Sequence, residues 1–148
     1  MSEKMIEKPE ADELVQKGQL RIWAAFEVLA INEDAAKTAL QNHVTKLEND
    51  ARVKLYKKQF SDIKRVEKPL PKIELGFSYV CETEFVVKNL DKLIQLVIEY
   101  GPSSIELLEP KEVKTDVTDV QSILNRISEI MHKFAAMGLG GILVAGKK

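Results

Sequence analysis

Apolar and polar residues alternate most regularly between Ile73 and Val87, in the stretch IELGFSYVCETEFVV. Successive side chains of a β-strand point to opposite faces, so a period of two over this length predicts a long strand. One face of the strand is apolar and aromatic, while the other carries Glu82 and Glu84. We expect the apolar face to lie against the core and the rest of the chain to be arranged around this strand.

Three further stretches show strand-like alternation. Residues 19–30 predict a first strand with one apolar face, residues 52–65 predict a second strand, and residues 103–109 predict a short last one. The second strand reaches the long strand through the sequence VEKPLP, in which Pro69 and Pro71 favour a loop over a tight hairpin.

Opposite charges predict the register between the second strand and the long strand. If the connecting loop is centred near its first proline, Lys54 lies opposite Glu84 and Lys64 lies opposite Glu74. The same register turns Lys57 towards the core, so we expect a β-bulge beside it.

Apolar residues spaced three and four apart predict two amphipathic helices between the strands. One runs from about residue 33 to residue 48, with Asn32 as its N-cap. The other covers residues 90–100, with Asn89 as its N-cap and Gly101 at its end.

The segment after Pro110 predicts a third and longer helix. Thr118 and Gln121 fit a capping box at its start, and Gly138 supplies a left-handed cap at its end. Its apolar stripe consists of Val117, Val120, Leu124, Ile127, Met131 and Phe134. Behind the helix, residues 142–145 (ILVA) predict a last short strand.

The predicted order of strand, helix, strand, strand, helix, strand resembles the ferredoxin-like split βαβ arrangement, an antiparallel sheet with two helices on one face. The resemblance covers residues 19–109, to which residues 110–148 add the long helix and the terminal strand. We therefore expect one α+β domain over residues 19–148, preceded by a flexible N-terminal arm over residues 1–18, in which Pro9 to Lys17, with Gly18 behind them, also fit two helical turns. A shared topology implies no activity.

Composition narrows the class of protein. The chain has 148 residues, of which 45% are hydrophobic and 30% are charged, as in a single globular domain. Its formal net charge of -1 supplies no overall field for nucleic acid or an anionic membrane. One cysteine allows no internal disulfide, and no apolar run approaches the roughly 18 to 20 residues of a membrane span. We expect a cytoplasmic protein without a membrane segment.

The sheet face opposite the two helices predicts an association surface. A two-layer fold leaves that face uncovered, and its apolar side chains, Trp23 among them, are too numerous for contact with water. We expect the third helix to cover this face, either in its own subunit or in a partner's. We also expect a homo-oligomer, with a dimer favoured. The expected interface residues are Trp23, Val120, Leu124, Ile127, Met131 and Phe134.

The segment LGFSYVCE, residues 75–82, resembles the signature of the RNA-recognition motif. The resemblance implies that Phe77 and Tyr79 stack on bases from an open sheet face. Two positions depart from the signature, because Leu75 replaces its basic residue and Glu82 replaces its last aromatic residue. The departures favour Phe77 and Tyr79 as core residues and argue against nucleic acid as a partner.

Other residues that can carry chemistry form no converging set. Glu82 and Glu84 lie about 7 Å apart on one strand face, close enough to share a metal or to act as acid and base, although lysines opposite explain them better. Cys81 can pair with His43 or His132 as nucleophile and base, but a small core residue explains it better. We expect no metal and no cofactor.

Three functions follow from these patterns. The first is a non-enzymatic binding or regulatory module that self-associates and binds a small ligand or a protein partner. The second is a small enzyme whose site is assembled between subunits from Glu82, Glu84 and a lysine, with Lys57 preferred over Lys54 and Lys58. The third is an RNA-binding domain.

Overall fold

A computed structural model of the chain describes residues 5–138. The elements in chain order are α1 (Lys8–Gln16), β1 (Leu20–Ala30), α2 (Glu33–Glu48), β2 (Lys54–Phe60), β3 (Lys64–Leu70), β4 (Ile73–Val87), α3 (Leu90–Tyr100), β5 (Ser104–Glu109) and α4 (Val117–Ala136). The chain divides into two units, Met1–Val113 and Lys114–Lys148, so α4 belongs to the second unit and the other elements belong to the first. The strand predicted at residues 142–145 lies outside the described residues.

The first unit is built on a five-stranded antiparallel sheet with β4 at its centre. The strand order is β2-β4-β1-β5, and β3 also pairs with β4. β4 extends from Ile73 to Val87, which confirms the long strand predicted from the alternation. One edge of β4 pairs with β1, from Leu20 opposite Val87 to Ala30 opposite Phe77, while β2 and β3 share the other edge.

The alternation of β1 and β4 divides core side chains from the rest. Tyr79 belongs to the core cluster that α2 and α3 share with the sheet, and the partly buried Phe77 packs against that cluster, so the predicted direction of these rings is confirmed. Tyr79 is 6% exposed, and its ring stacks on Phe60 with 5.5 Å between the ring centroids. The fully buried members of the core with the largest side chains include Ile22, Leu40, Leu47, Leu55 and Val44.

Helix ends follow the capping residues with one exception. The side-chain oxygen of Asn32 accepts a hydrogen bond from Ala35 N at 2.7 Å, and Asn89 does the same at the start of α3, so both predicted N-caps are confirmed. The capping box predicted at Thr118 is wrong, because the Asp116 carboxylate caps α4 two residues earlier. Gly138 has a φ of 75°, the left-handed conformation predicted for the end of α4.

The second predicted strand differs in extent and connection. Residues 52–65 do not form one strand, because the chain leaves the extended pairing after β2 and starts again at β3. Leu70 pairs with Ile73, so the two-residue turn Pro71–Lys72 replaces the predicted loop with a tight hairpin. Pro71 has no backbone N–H, and this turn position needs no hydrogen-bond donor, so the hairpin tolerates the proline.

The predicted charge pairs between these strands are wrong. Lys54 lies opposite Val86 rather than Glu84, and Lys64 lies opposite Ser78 rather than Glu74. The register shifts between Leu55 and Lys57, where the predicted bulge is confirmed, and it shifts again within β3. The main error is the position of the turn, which is predicted near Pro69 but lies at Pro71–Lys72; the shifts offset only part of that displacement.

A helix occupies part of the predicted N-terminal arm. Pro9 lies in the first turn of α1, where the missing N–H costs no hydrogen bond, and Ala11 is completely buried. Asp12 binds Arg21 of β1, which fastens the helix to the sheet. With α1 ahead of β1 and a divided second strand, the observed order differs from the plain ferredoxin-like one.

A buried ion pair connects the end of α2 to β2. The Glu48 carboxylate, 3% exposed, accepts a hydrogen bond of 2.7 Å from Lys58 Nζ through one oxygen. Its other oxygen has no hydrogen-bond partner among the described residues. Burying a carboxylate is costly unless it is paired, so Lys58 stabilises the contact between β2 and the end of α2.

We predict that Lys58→Met lowers the free energy of unfolding by about 2 kcal/mol, because Glu48 is left as an unpaired buried charge. Denaturant unfolding measures the change. Lys54→Met is the matched control, since Lys54 is an exposed lysine on the same strand, and we expect a change below about 0.5 kcal/mol. Equal stabilities of the two variants would contradict the role of the pair.

Candidate functional site

The side chains of the sheet that point away from the core form what we call the second face, on which polar and charged residues lie beside the buried side chains of Ala25 and Val86. β1 contributes Arg21 and Trp23 to it, and β4 contributes Glu82 and Glu84, which lie opposite Ala25 and Trp23, respectively, in the β1 register. α1 adjoins the second face through Asp12. All of these residues belong to the first unit.

The bulge in β2 adds two neighbouring residues to this surface. Leu55 is fully buried in the core, so Tyr56 turns to the second face by the normal alternation. The register then shifts, and Lys57 lies opposite Glu84 on the same face. An unbroken strand would direct only one of these two side chains there.

Arg21 joins four elements through its guanidinium group. Its Nη1 donates a hydrogen bond of 2.7 Å to Tyr56 Oη, its Nε donates one of 2.6 Å to Glu109 Oε1, and its Nη2 donates one to Asp12 Oδ1. The Arg21 side chain is 10% exposed. Burial alone would lower the pKa of Arg21, but the hydrogen bonds to Tyr56, Glu109 and Asp12 raise it overall, so the group stays charged.

Hydrogen bonds extend from Arg21 across the face. Tyr56 Oη donates to Glu84 Oε1 at 2.6 Å, and Lys57 Nζ lies 3.8 Å from Glu84 Oε2. Beside them Trp23 Nε1 donates to Glu82 Oε1 at 3.2 Å. Burial and the hydrogen bond to Glu84 raise the pKa of Tyr56 to about 12, so its phenol is a donor and not a base near neutral pH.

Two recesses open on the second face. The larger has a volume of about 480 Å³ and is lined by Lys8, Asp12, Val15, Gln16, Arg21, Glu84 and Glu109. The smaller has a volume of about 70 Å³ and is lined by Trp23, Lys57, Gln59, Glu82, Thr83 and Glu84. Glu84 is common to both, so one carboxylate borders two adjoining spaces.

The structure brings together part of the predicted chemical set. Glu82, Glu84 and Lys57 share the second face, where Lys57 is 59% exposed because the predicted bulge turns it away from the core. Lys58 lies on the opposite face with Glu48, and Lys54 faces solvent. Within residues 5–138, no three His, Cys, Asp or Glu side chains form a group that could hold a metal ion.

Cys81 and His43 make their contacts with different residues. Cys81 is completely buried, and burial raises the pKa of its thiol to about 11. His43 Nε2 is in hydrogen-bond contact with Tyr100 O at 2.8 Å, and the His43 ring packs edge-on against Phe26. His132 lies in α4, in the second unit.

The predicted interface residues fall in both units. Trp23 lies half-buried on the second face of the first unit. Those of the second unit lie along one side of α4 and are exposed: Val120, Leu124, Ile127, Met131 and Phe134. Across the described part of the chain, no helix combines the length and apolar character needed to cross a membrane.

Sequence reasoning missed the centre of the site. Arg21, Tyr56, Asp12 and Glu109 come from four elements, and no spacing in the sequence connects them. The available signal is a charged residue, Arg21, at the start of the otherwise apolar strand LRIWAAF. A buried guanidinium requires carboxylate partners, which directs attention to the acidic residues of neighbouring elements.

We predict that Tyr56→Phe reduces the loss of stability at high pH. The pKa of Tyr56 is raised from 10.0 to about 12 in the folded chain, so its contribution is complete below about pH 10 and is lost as the pH rises through 12. Denaturant unfolding at several pH values measures this slope. Tyr100, whose pKa burial and Asp50 also raise to about 12, keeps its share of the slope in this variant. An unchanged slope in Tyr56→Phe would contradict the prediction.

We predict slow alkylation of Cys81 by iodoacetamide near neutral pH, because the thiol is buried and its pKa is about 11. Mass spectrometry after timed labelling measures the rate. Labelling in denaturant is the control and should be complete within the same period. Rapid labelling of the folded protein would restore Cys81 as a candidate nucleophile.

Comparisons with known proteins place the chain in a family without assigning an activity. A comparison with curated proteins and another with solved structures each returned no match. The model of the MJ0538 family matches residues 21–148, which include β1, β4 and α4. Because the match covers most of the sequence, the chain belongs to the MJ0538 family.

Proposed function

We propose that this protein is a non-enzymatic binding module whose ligand is a small molecule with an ammonium or guanidinium group, held in the larger recess of the second face. One observation carries the proposal: Arg21, the buried cation of the recess, is already bound by Asp12, Glu109 and Tyr56. The hydrogen-bonding capacity left at the recess therefore belongs largely to carboxylate oxygens.

Asp12, Glu84 and Glu109 each keep one carboxylate oxygen without a hydrogen-bond partner among the described residues. Asp12 and Glu109 each use one oxygen on Arg21, and their side chains are 45% and 54% exposed. Glu84 uses Oε1 on Tyr56, and its Oε2 lies 3.8 Å from Lys57 Nζ, beyond hydrogen-bond distance. An amine or guanidinium group can donate to these oxygens in charge-assisted hydrogen bonds, and the three carboxylates outnumber the two cations of the lining, Arg21 and Lys8.

The smaller recess favours the same class of ligand. The indole of Trp23 lines it, its two carboxylates, Glu82 and Glu84, outnumber its one lysine, and the face of an indole ring attracts a cation. Since Glu84 borders both recesses, a linear ligand with two amino groups can place one in each. The larger volume, about 480 Å³, falls in the usual range of small-molecule sites, roughly 300 to 1,000 Å³.

The enzyme alternative has less support from this geometry. Acid and base catalysis needs a group that exchanges protons near the working pH, and the pKa of Tyr56 is about 12. Lys57 and Glu84 do approach each other, but the lysine is 59% exposed, as in an ordinary surface ion pair. The RNA alternative needs open rings, whereas Tyr79 lies in the core and Phe77 packs against it.

We also propose that the sheet is a variant of the ferredoxin-like arrangement. β2 and β3 lie along the same edge of β4 in succession, so they act as two halves of one interrupted strand. Counted in this way, the neighbouring strands follow the order second, third, first, fourth.

Titration with spermidine tests the ligand class. Trp23 is the single tryptophan of the chain and lies at the site, so its fluorescence reports binding. We predict saturable binding that weakens at high salt, and about tenfold weaker binding by Glu84→Gln, because a charged acceptor is lost.

Glu74→Gln is the matched control, because Glu74 lies on the same strand and the same face at a distance of roughly 33 Å from Glu84. We expect it to bind spermidine as the natural protein does. Equal weakening by both variants indicates a general charge effect, and tighter binding of citrate than of spermidine reverses the ligand class. Either result contradicts the proposal.

A further inference from the structure

We infer that a second copy of this chain docks on the apolar stripe of α4 and that the two helices run antiparallel. The stripe consists of Val117, Val120, Leu124, Ile127, Met131 and Phe134. It lies in the second unit, so the inference does not depend on the ligand proposed for the second face.

The stripe has the spacing of a helix-pairing seam. Its residues are separated by three, four, three, four and three positions, the a and d pattern of a coiled coil, over a helix of 20 residues that is roughly 30 Å long. The side chains are exposed, from 39% for Val120 to 82% for Val117. A continuous apolar band of this length marks an interaction surface, whereas single exposed apolar residues are ordinary.

The positions beside the stripe allow two copies to approach without burying a charge. One flank carries Gln121, Ser128 and Ala135, and the other carries Ile123, Ile130 and Met137. The charged side chains of α4 occupy the remaining positions, with Arg126 and Glu129 among them. Pairing stripe to stripe therefore avoids the desolvation cost that charged flanks impose.

The charges at the two ends of α4 set the direction. Asp116 and Asp119 lie at its start, and Lys133 lies in its last turn. An antiparallel pair that places Val117 opposite the partner's Phe134 puts Asp119 level with the partner's Lys133 and opposes the helix dipoles. A parallel pair brings acidic ends together and aligns the dipoles, so charge complementarity favours a second copy in the antiparallel direction.

Sedimentation velocity of the full chain at tens of micromolar tests the occupant. We expect twice the monomer mass, and monomer mass for Leu124→Glu, because a charge then enters the seam. Asn125→Glu is the matched control, since Asn125 is an exposed neighbour outside the stripe, and it should remain dimeric. Monomer mass for the natural chain overturns the inference and assigns the stripe to another part of its own chain or to a different protein.

Cysteine cross-linking tests the direction and does not rely on a destabilising change. Val117→Cys and Phe134→Cys, mixed and treated with a short bismaleimide, should give a cross-linked dimer. Val117→Cys alone should not, because two copies of residue 117 lie about 25 Å apart in the antiparallel pair. Efficient cross-linking of Val117→Cys to itself, or none in the mixture, overturns the proposed arrangement. The natural Cys81 is buried and contributes little background.

Discussion

Backbone pairing along β4 is the constraint on which the first unit depends. This strand bonds to β1 on one edge and to β2 and β3 on the other, so its alternation decides which side chains of four strands meet on each face. Cys81, Thr83 and Phe85 go to the core because the glutamates between them cannot. The alternation of β4 and its pairing with the neighbouring strands therefore separate the core face of the sheet from the second face.

On the second face, the arrangement of side chains follows from another requirement, which is the pairing of a buried cation. Arg21 cannot lose its charge, so enclosing it demands acceptors from whatever elements lie within reach. α1, β2 and β5 supply them as Asp12, Tyr56 and Glu109. The recesses exist where these elements converge, and their chemistry follows from how many acceptor atoms remain after Arg21 is satisfied.

The sequence predicts those features that depend on local periodicity and misses those that depend on distant pairing. The long strand, the N-caps at Asn32 and Asn89 and the bulge beside Lys57 are confirmed because each follows from a few neighbouring residues. The Lys54–Glu84 pair fails because the turn lies at Pro71–Lys72 and not near Pro69, and charge matching does not locate the turn. The sequence identifies Glu82 and Glu84 as surface carboxylates. It does not identify Arg21, because the hydrogen-bond partners of Arg21 lie in α1, β2 and β5 and no spacing in the sequence connects them to it.

One consequence concerns the origin of the recess. The family match begins at Arg21, whereas Lys8, Asp12, Val15 and Gln16 of the larger recess precede it in α1. The recess therefore draws four of its lining residues from α1 and the other three, Arg21, Glu84 and Glu109, from the sheet. Because Ala11 is completely buried and Asp12 pairs with Arg21, a change in α1 alters both the lining of the recess and the attachment of the helix to the sheet.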